Sequence, residues 1–220
     1  MKRFFDILLS VLAIIALSPI LLIVIIILKL TGEHYIFYKQ ERIGYNQKPF
    51  YLLKFATMLK DSPNMGTGDI TTRNDPRVLP FGKFLRKTKI NELPQLFNIL
   101  FGDMSIIGPR PVTQKHFSFY SDKEKECIGK LRPGLSGIGS VVFRDEESII
   151  ANANMDYAEF YQKKIAPYKG ALEKWYYQHN NLFVDFMIIV LTVIVVIVPG
   201  TNLPFRCFKS LPQKPSFLEN

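Results

Sequence analysis

The sequence predicts an α+β protein, in which an apolar N-terminal helix precedes a small mixed domain with amphipathic helices. Residues 4–28 form an apolar stretch that only four residues interrupt. Segments 35–40 (YIFYKQ) and 50–55 (FYLLKF) are rich in aromatic and β-branched residues, and the loop between them is typical of a strand pair. Residues 93–100 and 156–179 repeat apolar side chains at helical spacing. Within 220 residues, these patterns favour one mixed domain with attachments.

Composition divides the chain into four predicted segments. They are an apolar membrane helix (1–30), a polar domain (31–180), a second apolar helix (181–199) and a basic C-terminal tail (200–220). The second apolar helix carries Asp185 and Thr192 and is borderline in length for crossing a bilayer. A spanning helix, an interfacial helix and a core helix therefore all remain open for it.

The first apolar run is long enough to enter a membrane. It covers 25 residues, and about 20 apolar residues span a bilayer. A secretory signal is disfavoured, because the run is too long and no cleavage site follows it before Lys29. Positive residues flank both ends, and Pro19 should kink the helix at the Ile15 carbonyl, which the Ser18 hydroxyl can then bond. These residues leave open a kinked spanning helix and a re-entrant helix that returns to the side it entered.

The charge balance indicates anionic partners. The chain has 28 Lys and Arg against 19 Asp and Glu, a formal charge of +9. Nucleic acid, lipid headgroups and phosphorylated substrates all suit such an excess. Nucleic acid is disfavoured, because the sequence shows neither a known recognition fold nor interleaved basic and aromatic surfaces. Cys127 and Cys207 lie far apart and predict no disulfide framework, which favours a reducing, cytoplasmic setting.

Residues 87–100, KTKINELPQLFNIL, predict a helix that begins at an acid-bearing turn. Proline is tolerated only in a first turn, so Pro94 fixes the start and Asn91 is the expected N-cap. Glu92 would then favour the positive end of the helix dipole, and Gly102 would end the helix. The expected apolar face consists of Leu93, Leu96, Phe97 and Leu100.

Cationic residues recur in helices and stiff turns on both sides of this stretch. For the basic residues of 82–90 (GKFLRKTKI), a solvated helix face and a position near headgroups or phosphate both remain open. Arg110 stands between two prolines, which present its guanidinium stiffly, and Arg132 opens the glycine-rich turn 132–139. Residues 143–148 (FRDEES) combine one cation with three carboxylates, most simply a solvated surface.

These parts together predict phosphoryl-transfer chemistry. A helix N-terminus with nearby arginines suits phosphate, and a carboxylate such as Glu92 can hold Mg²⁺ against substrate phosphates. Positioning and charge neutralisation supply most of the catalysis in such reactions. The pair Gly66 and Gly68 is too short and wrongly placed for a dinucleotide fingerprint, so residues 61–77 are predicted to be a loop.

Several segments resemble the bacterial sugar transferase family of small monotopic phosphoglycosyl transferases. They are KRFFDILLS and LSPI at the N-terminus, YKQERIG (38–44), KFATM (54–58), TRNDPRV (72–78), the run 82–111 and RPGLSG (132–137). The resemblance implies transfer of a sugar phosphate from a UDP-sugar to polyprenyl phosphate, giving UMP. It also implies the first membrane step in the synthesis of bacterial glycans such as capsule, O-antigen or exopolysaccharide.

The resemblance also implies a location and a topology. The N-terminal helix would be re-entrant, broken at Ser18-Pro19, with the catalytic domain on the cytoplasmic face of the bacterial inner membrane. Residues 181–199 would then lie at the interface. The implied partners are the UDP-sugar, polyprenyl phosphate, inner-membrane lipids and downstream glycosyltransferases, with no nucleic acid.

The family's mechanism, carried over by resemblance, uses an Asp-Glu dyad at the helix mouth. Glu92 matches the Glu, whereas Asn91 stands where the family has its nucleophilic Asp. KFATM also lacks the cation that many members carry at the position of Ala56. The cations expected to bind phosphate or nucleotide are Lys54, Arg86, Arg110 and Arg132, of which the second and third match family arginines.

Asn91 leaves three hypotheses, because an amide oxygen is far less nucleophilic than a carboxylate. In the first, another carboxylate forms the covalent intermediate: Glu92, Asp145 or Glu146. In the second, Glu92 holds Mg²⁺ and polyprenyl phosphate attacks the donor directly. In the third, the protein is a non-catalytic homologue that binds nucleotide sugar or partner enzymes.

Overall fold

The computed structural model describes residues 1–65, 75–151, 155–198 and 200–218. Its fold is mixed and mostly helical, as the sequence predicts in outline. The strands are β1 (Phe37–Ile43), β2 (Pro49–Phe55), β3 (Ser105–Ile107) and β4 (Gly134–Ser136). The helices are α1 (Lys2–Leu30), α2 (Pro80–Lys87), α3 (Gln95–Phe101), α4 (Gln114–Phe117), α5 (Asp122–Gly129), α6 (Ile138–Val142), α7 (Glu146–Ala151), α8 (Tyr157–Phe160), α9 (Ala166–His179), α10 (Leu182–Ile197) and α11 (Leu203–Cys207). Gly66 and Gly68, in the loop predicted for residues 61–77, lie outside the described residues.

The chain forms two compact units. Unit 1 contains Met1 and residues 3–41 and 51–102. Unit 2 contains Lys2 and residues 42–50 and 103–220. Strands β1 and β2 pair in a two-stranded sheet, which confirms the predicted strand pair, and the tip of this pair belongs to unit 2.

Helix α1 confirms the predicted N-terminal apolar helix. Its length and composition are sufficient to cross a membrane. Pro19 lies inside the helix, and the Ser18 hydroxyl donates to the Ile15 carbonyl at 2.8 Å. Because Pro19 has no N–H, the Ile15 carbonyl lacks its usual backbone donor. The Ser18 hydroxyl replaces that donor, as the sequence predicts.

The core of unit 1 joins α1 to the polar part of that unit. Leu21, Val24 and Leu28 of α1 are buried with Phe55 of β2 and Leu85 of α2. Most other large apolar side chains of α1 are exposed. The C-terminal half of α1 therefore anchors β2 and α2, and its remaining faces stay apolar and uncovered.

Unit 2 is built around α9 and α10. Residues 157–179 are helical, close to the predicted range 156–179, although a π-helical turn (Tyr161–Ile165) separates α8 from α9. Leu172 and Tyr176 of α9 lie in the core with Ile188 and Leu191 of α10. The opposite face of α10 exposes Phe183, Phe186, Val193, Val196 and Ile197. The second apolar run is thus a helix with one face in the core and one exposed apolar face.

The C-terminal tail packs on α9, although the sequence predicts only a basic extension. Phe208 is buried with its ring centroid 5.0 Å from that of Trp175, whose indole N–H donates to the Ser210 hydroxyl at 2.9 Å. Tyr168 donates to the Pro212 carbonyl at 3.0 Å. Both cysteines, Cys127 and Cys207, are free thiols.

Candidate active site

The acid-bearing turn differs from the sequence prediction in its backbone. Asn91 was predicted to be the N-cap of the helix, and this is wrong: residues Ile90–Glu92 form a 3₁₀ turn, and α3 begins at Gln95 after Pro94. The turn starts because Lys89 adopts a left-handed conformation with φ of 60°. The N–H groups of Glu92 and Leu93 then bond the Lys89 and Ile90 carbonyls, so no side-chain cap is needed.

Asn91 is instead a buried side chain beside a half-buried acid. It is 8% exposed, and its Oδ1 atom has no hydrogen-bond partner among the described residues. A buried unsatisfied acceptor is costly, and each such atom calls for an explanation. Glu92, the next residue in the same turn, is partly accessible. The turn therefore offers an unfilled oxygen acceptor next to a carboxylate.

Helix α3 is held in place by two contacts that the sequence pattern did not predict. Asn98, almost fully buried, donates to the Tyr51 carbonyl at 2.8 Å and accepts from the Leu53 N–H at 2.9 Å. The Arg3 guanidinium donates to the Ile99 and Leu100 carbonyls. The predicted helix end is confirmed, because Gly102 takes the left-handed C-cap conformation with φ of 98°.

The predicted apolar face of α3 is only partly right. Leu96 is buried, but Leu93, Phe97 and Leu100 are half-buried, and Ile99 is fully buried instead. The buried face differs from the predicted one because Asn98 lies against β2, where it bonds the Tyr51 carbonyl and the Leu53 N–H.

Arg86 and Lys54 lie in unit 1 with this turn. Arg86 is half-buried near the C-terminal end of α2, with Nη1 3.5 Å from the Thr57 hydroxyl, and Lys54 is half-buried on β2. Helix α2 approaches Thr57 closely, because a Cβ at Gly82 would lie 2.1 Å from the Thr57 carbonyl oxygen. Residues 82–87 are helical as expected, and Lys83 and Lys87 are exposed. Gly82 thus lets α2, and Arg86 with it, lie close to Thr57. The pattern of charged residues gave no indication of this role.

A buried ion pair in unit 1 was also missed from the sequence. Asp75 and Arg77 are 3% and 4% exposed, and Arg77 Nη2 lies 2.6 Å from Asp75 Oδ2. The same guanidinium donates to the Ser62 and Met65 carbonyls. This arginine therefore fixes the chain after β2 rather than adding to the accessible cations.

Unit 2 presents Arg110 and Arg132 on adjoining backbone segments. Strands β3 and β4 pair in parallel, and Gly134 donates its N–H to the Pro109 carbonyl at 2.8 Å. A Cβ at Gly108 would lie 2.3 Å from the Arg132 carbonyl oxygen, so the two segments touch through glycine backbone. Both arginine side chains are exposed, whereas Pro109 and Pro111 are buried. The Arg110 side chain is therefore exposed between two buried prolines, and the stiffness expected of this turn stays a prediction.

Arg132 also contacts an aromatic ring of the strand-pair tip. Its guanidinium carbon lies 5.1 Å from the ring centroid of Tyr45. A cation held against a ring face loses side-chain freedom and keeps its hydrogen-bond donors at the edge.

The acidic segment 143–148 divides between surface and interior. Asp145 is exposed. Glu146 is half-buried, and its Oε2 lies 2.7 Å from Nζ of Lys169, which is buried on α9. Burial lowers the pKa of Lys169, against the raising effect of Glu146. Glu146 thus has a structural partner in unit 2, and Glu147 is not described beyond its place in α7.

The residues of the acid-bearing turn fit a substrate-bridged Mg²⁺. The described residues contain no group of three or more His, Cys, Asp or Glu that could cage a metal ion. Mg²⁺ commonly needs only one or two protein ligands, because waters and substrate phosphates complete its shell. Glu92 and the unpartnered Oδ1 of Asn91 are oxygen ligands of that type.

An apolar N-terminal helix, a carboxylate on a tight turn and arginines on rigid backbone are the features of a membrane-associated, phosphate-binding protein. Comparison with known proteins gives the class: the chain belongs to the bacterial sugar transferase family, which matches residues 1–199. The exopolysaccharide production protein ExoY of Sinorhizobium fredii is 40% identical over 169 residues, 70% of this chain and 74% of that protein.

Two further relatives extend the coverage. ExoY of Rhizobium meliloti is 32% identical over 206 residues, 87% of this chain and 83% of that protein. The UDP-glucose:undecaprenyl-phosphate glucose-1-phosphate transferase of Xanthomonas campestris is 32% identical over 199 residues. That match covers 89% of this chain but only 38% of the longer protein.

Proposed function

We propose that the protein is a phosphoglycosyl transferase. It moves a sugar phosphate from a UDP-sugar to polyprenyl phosphate, giving polyprenyl-diphosphate-sugar and UMP, as the initiating membrane step of bacterial glycan synthesis. The observation that carries this proposal is the family match over residues 1–199, which includes the turn of Asn91 and Glu92 and both arginine turns. A relative named as a UDP-glucose:undecaprenyl-phosphate glucose-1-phosphate transferase supports the two substrates.

The proposed topology is monotopic. Helix α1 enters and leaves the inner membrane on the cytoplasmic face, with the break at Ser18 and Pro19. Positive residues at both ends of α1 support it, because cations favour the cytoplasmic side. The exposed apolar face of α10 suits a helix that lies on a lipid surface.

Arginine and lysine side chains bind the phosphate groups in this proposal. In unit 1 these are Arg86, on the helix just before the acid-bearing turn, and Lys54 of β2, and both are half-buried. In unit 2 they are Arg110 and Arg132, whose exposed guanidiniums stand on stiff backbone. A planar guanidinium donates two parallel hydrogen bonds to phosphate oxygens, which neutralises charge that shifts during transfer.

For the form in which polyprenyl phosphate attacks the donor directly, Mg²⁺ is proposed to sit at Glu92, with the Asn91 amide oxygen as a second ligand. When bound, the ion would neutralise the diphosphate of the donor. Asn91 keeps the oxygen in place without adding a second negative charge. Its Oδ1 has no hydrogen-bond partner within the part of the chain that the structure describes, which supports this role.

The chemical step has two forms that keep atoms balanced. In one, a carboxylate oxygen attacks the β-phosphorus, the bond from that phosphorus to the UMP oxygen breaks, and polyprenyl phosphate later displaces the carboxylate. In the other, a polyprenyl phosphate oxygen attacks the β-phosphorus directly, and the bond from that phosphorus to the UMP oxygen breaks in the same step. Glu92 is the best-supported carboxylate, because Glu146 is paired with Lys169 and Asp145 is exposed in unit 2. A non-catalytic role is not favoured, because relatives are named as transferases.

The test is a turnover assay on the purified full-length protein in lipid nanodiscs. UMP release is measured with undecaprenyl phosphate, Mg²⁺ and a panel of UDP-sugars. We expect UMP release that requires the lipid phosphate, a loss of about 100-fold or more in Glu92→Gln and Arg86→Ala, and near-normal activity in Lys83→Ala, an exposed cation on the same helix as Arg86.

Further outcomes separate the mechanisms. A sugar-phosphate adduct on Glu92, found by mass spectrometry without lipid phosphate, supports the covalent form. An adduct on Asp145 or Glu146 moves the nucleophile there. No UMP release with any donor of the panel would contradict the proposed function and favour a non-catalytic homologue.

A further inference from the structure

A carboxyl group is buried beneath the turn that carries Arg110. Glu173 of α9 is 4% exposed, and its carboxyl accepts hydrogen bonds from the backbone N–H groups of Arg110 and Gly139. A Cβ at residue 139 would lie 2.5 Å from Glu173 Oε1, so the glycine admits the carboxyl. Glu173 therefore joins the core helix α9 to the Arg110 turn and to the first turn of α6.

One oxygen of this carboxyl is not used by the fold. Glu173 Oε2 is buried and has no hydrogen-bond partner among the described residues, so both backbone bonds fall on Oε1. An ionised carboxylate with a bare buried oxygen is costly, whereas a protonated carboxyl leaves only a neutral hydroxyl there. The geometry itself therefore favours the neutral form.

The neighbouring charges already balance without Glu173. Lys169, one turn earlier on α9, pairs with Glu146 at 2.7 Å, and its ammonium lies over the rings of Phe143 and Tyr161 at 5.1 and 5.4 Å. Ionising Glu173 would place a second carboxylate on one buried ammonium. Burial raises the pKa of Glu173 to about 8, with Lys169 and the two backbone bonds acting in the opposite direction.

The other titratable groups around the cluster come from several elements. They are Arg110 after β3, His116 on α4, Tyr120 before α5, Glu124 on α5, Tyr161 in the π-helical turn, and Arg42 at the strand-pair tip, which acts on His116. Burial raises the pKa of Tyr120 well above its usual value, so this phenol stays neutral. Lys169, which pairs with Glu146, is thus a buried cation whose charge also acts on Glu173.

We propose that Glu173 is a positioning residue that holds the Arg110 turn in the orientation that binds the donor's diphosphate. This inference rests on the proposed function for the identity of the ligand, a nucleoside diphosphate sugar. The protonated carboxyl holds the turn. When Glu173 ionises, Lys169 is drawn from Glu146 toward Oε2, and the contacts under the Arg110 turn rearrange. Donor binding then weakens on the alkaline side.

The kinetic test compares three variants of the full-length protein in nanodiscs. Glu173→Gln is isosteric with the protonated acid, Glu173→Leu removes the acceptor, and Glu126→Gln changes an exposed glutamate of the same unit. KM for the UDP-sugar and KM for undecaprenyl phosphate are measured from pH 6.5 to 9.5. We expect the wild-type protein and Glu126→Gln to lose donor affinity with an apparent ionisation near pH 8, and Glu173→Gln to lose that pH dependence.

The second variant separates positioning from general damage. We expect Glu173→Leu to raise KM for the donor by about tenfold, a change of about 1.4 kcal/mol, with KM for undecaprenyl phosphate changed less than about twofold. Equal changes in both constants, or a wild-type pH profile in Glu173→Gln, would overturn the proposal.

Hydrogen exchange gives a readout that needs no turnover. Peptides that cover residues 108–112 and 138–142 are followed by mass spectrometry. We expect both to exchange faster in Glu173→Leu, and faster in the wild-type protein at pH 9 than the intrinsic rate change explains, with Glu173→Gln protected at both pH values. If Glu173→Leu does not fold, the proposal is tested by comparing the exchange of the wild-type protein and Glu173→Gln at the two pH values.

The two possible failures remain distinct. If no donor is turned over, the proposed function fails while exchange still tests whether Glu173 holds the turn. If donors are turned over but the Glu173 variants have the same hydrogen exchange and the same pH profile as the wild-type protein, the positioning role alone is contradicted.

Discussion

Lys2 Nζ lies 2.7 Å from Asp185 Oδ2, and the same ammonium donates to the Tyr176 hydroxyl and the Ile107 carbonyl at 2.8 Å each. Tyr176 in turn donates to the other oxygen of Asp185. All four residues belong to unit 2. The acid in the apolar run 182–198 is therefore buried with partners that satisfy both of its oxygens.

Replacing Asp185 tests this network. Asp185→Ala should lower the free energy of unfolding by about 1–3 kcal/mol, because the Tyr176 hydroxyl and the Lys2 ammonium each lose a charged acceptor. Thermal unfolding in detergent, followed by circular dichroism, measures the loss. Asp122→Ala is the matched control, because Asp122 is fully exposed in its pair with Lys125. Equal stability of the two variants would contradict the account.

Asn98 should stabilise α3 through the edge of β2. Asn98→Ala removes the donor to the Tyr51 carbonyl and the acceptor from the Leu53 N–H, leaving two backbone groups without partners. We expect a loss of about 1–3 kcal/mol in the free energy of unfolding, together with reduced turnover because the acid-bearing turn precedes this helix.

The control for Asn98 is Asn180→Ala, at an exposed residue that donates only to a neighbouring carbonyl. Chemical denaturation in nanodiscs measures both variants. Wild-type stability in Asn98→Ala would show that the two bonds are replaced by water at no cost.

His116 should make the protein less stable in acid. Burial lowers its pKa in the folded protein, and Arg42 and Lys169 lower it further. The unfolded chain, with an ordinary histidine pKa of about 6.5, therefore binds the proton more readily. Stability attributable to this group is present above that pH and is lost as the pH falls below it.

His116→Asn is the variant that checks this dependence. The free energy of unfolding of the wild-type protein should fall as the pH is lowered from about 6.5 to 5. In the variant this pH dependence should be weaker, by an amount that corresponds to at most one bound proton. Parallel slopes in urea titrations across this pH range would contradict the assignment.

The sequence predicted the elements whose signal is local. The apolar run of α1, the strand pair, the helix of residues 182–197 and the end of α3 at Gly102 all follow from periodicity or from a residue with a special backbone role. Ser18 was also predicted to bond the carbonyl left by Pro19, and it bonds Ile15. Such features need no knowledge of what lies next to them.

The features that were predicted wrongly from the sequence, or missed, depend on local backbone conformation or on contacts distant in sequence. Asparagine is common at N-caps, but at Asn91 the left-handed Lys89 starts a 3₁₀ turn first. The backbone N–H groups of that turn then bond backbone carbonyls and need no side-chain cap. Asn98 looks like an ordinary polar helix residue, and its role appears only when β2 lies beside it. Glu173 is a single acid within an aromatic helix, and its burial follows from the approach of Arg110 and Gly139.

The central claim is that the β-phosphate of the donor moves with the sugar to the lipid. The most direct measurement uses a UDP-sugar labelled with ³²P at the β-position, undecaprenyl phosphate, Mg²⁺ and the purified protein. The account predicts that label enters the organic phase while unlabelled UMP appears in equal amount. Label that stays in water as UDP, while the sugar alone enters the lipid, would contradict it.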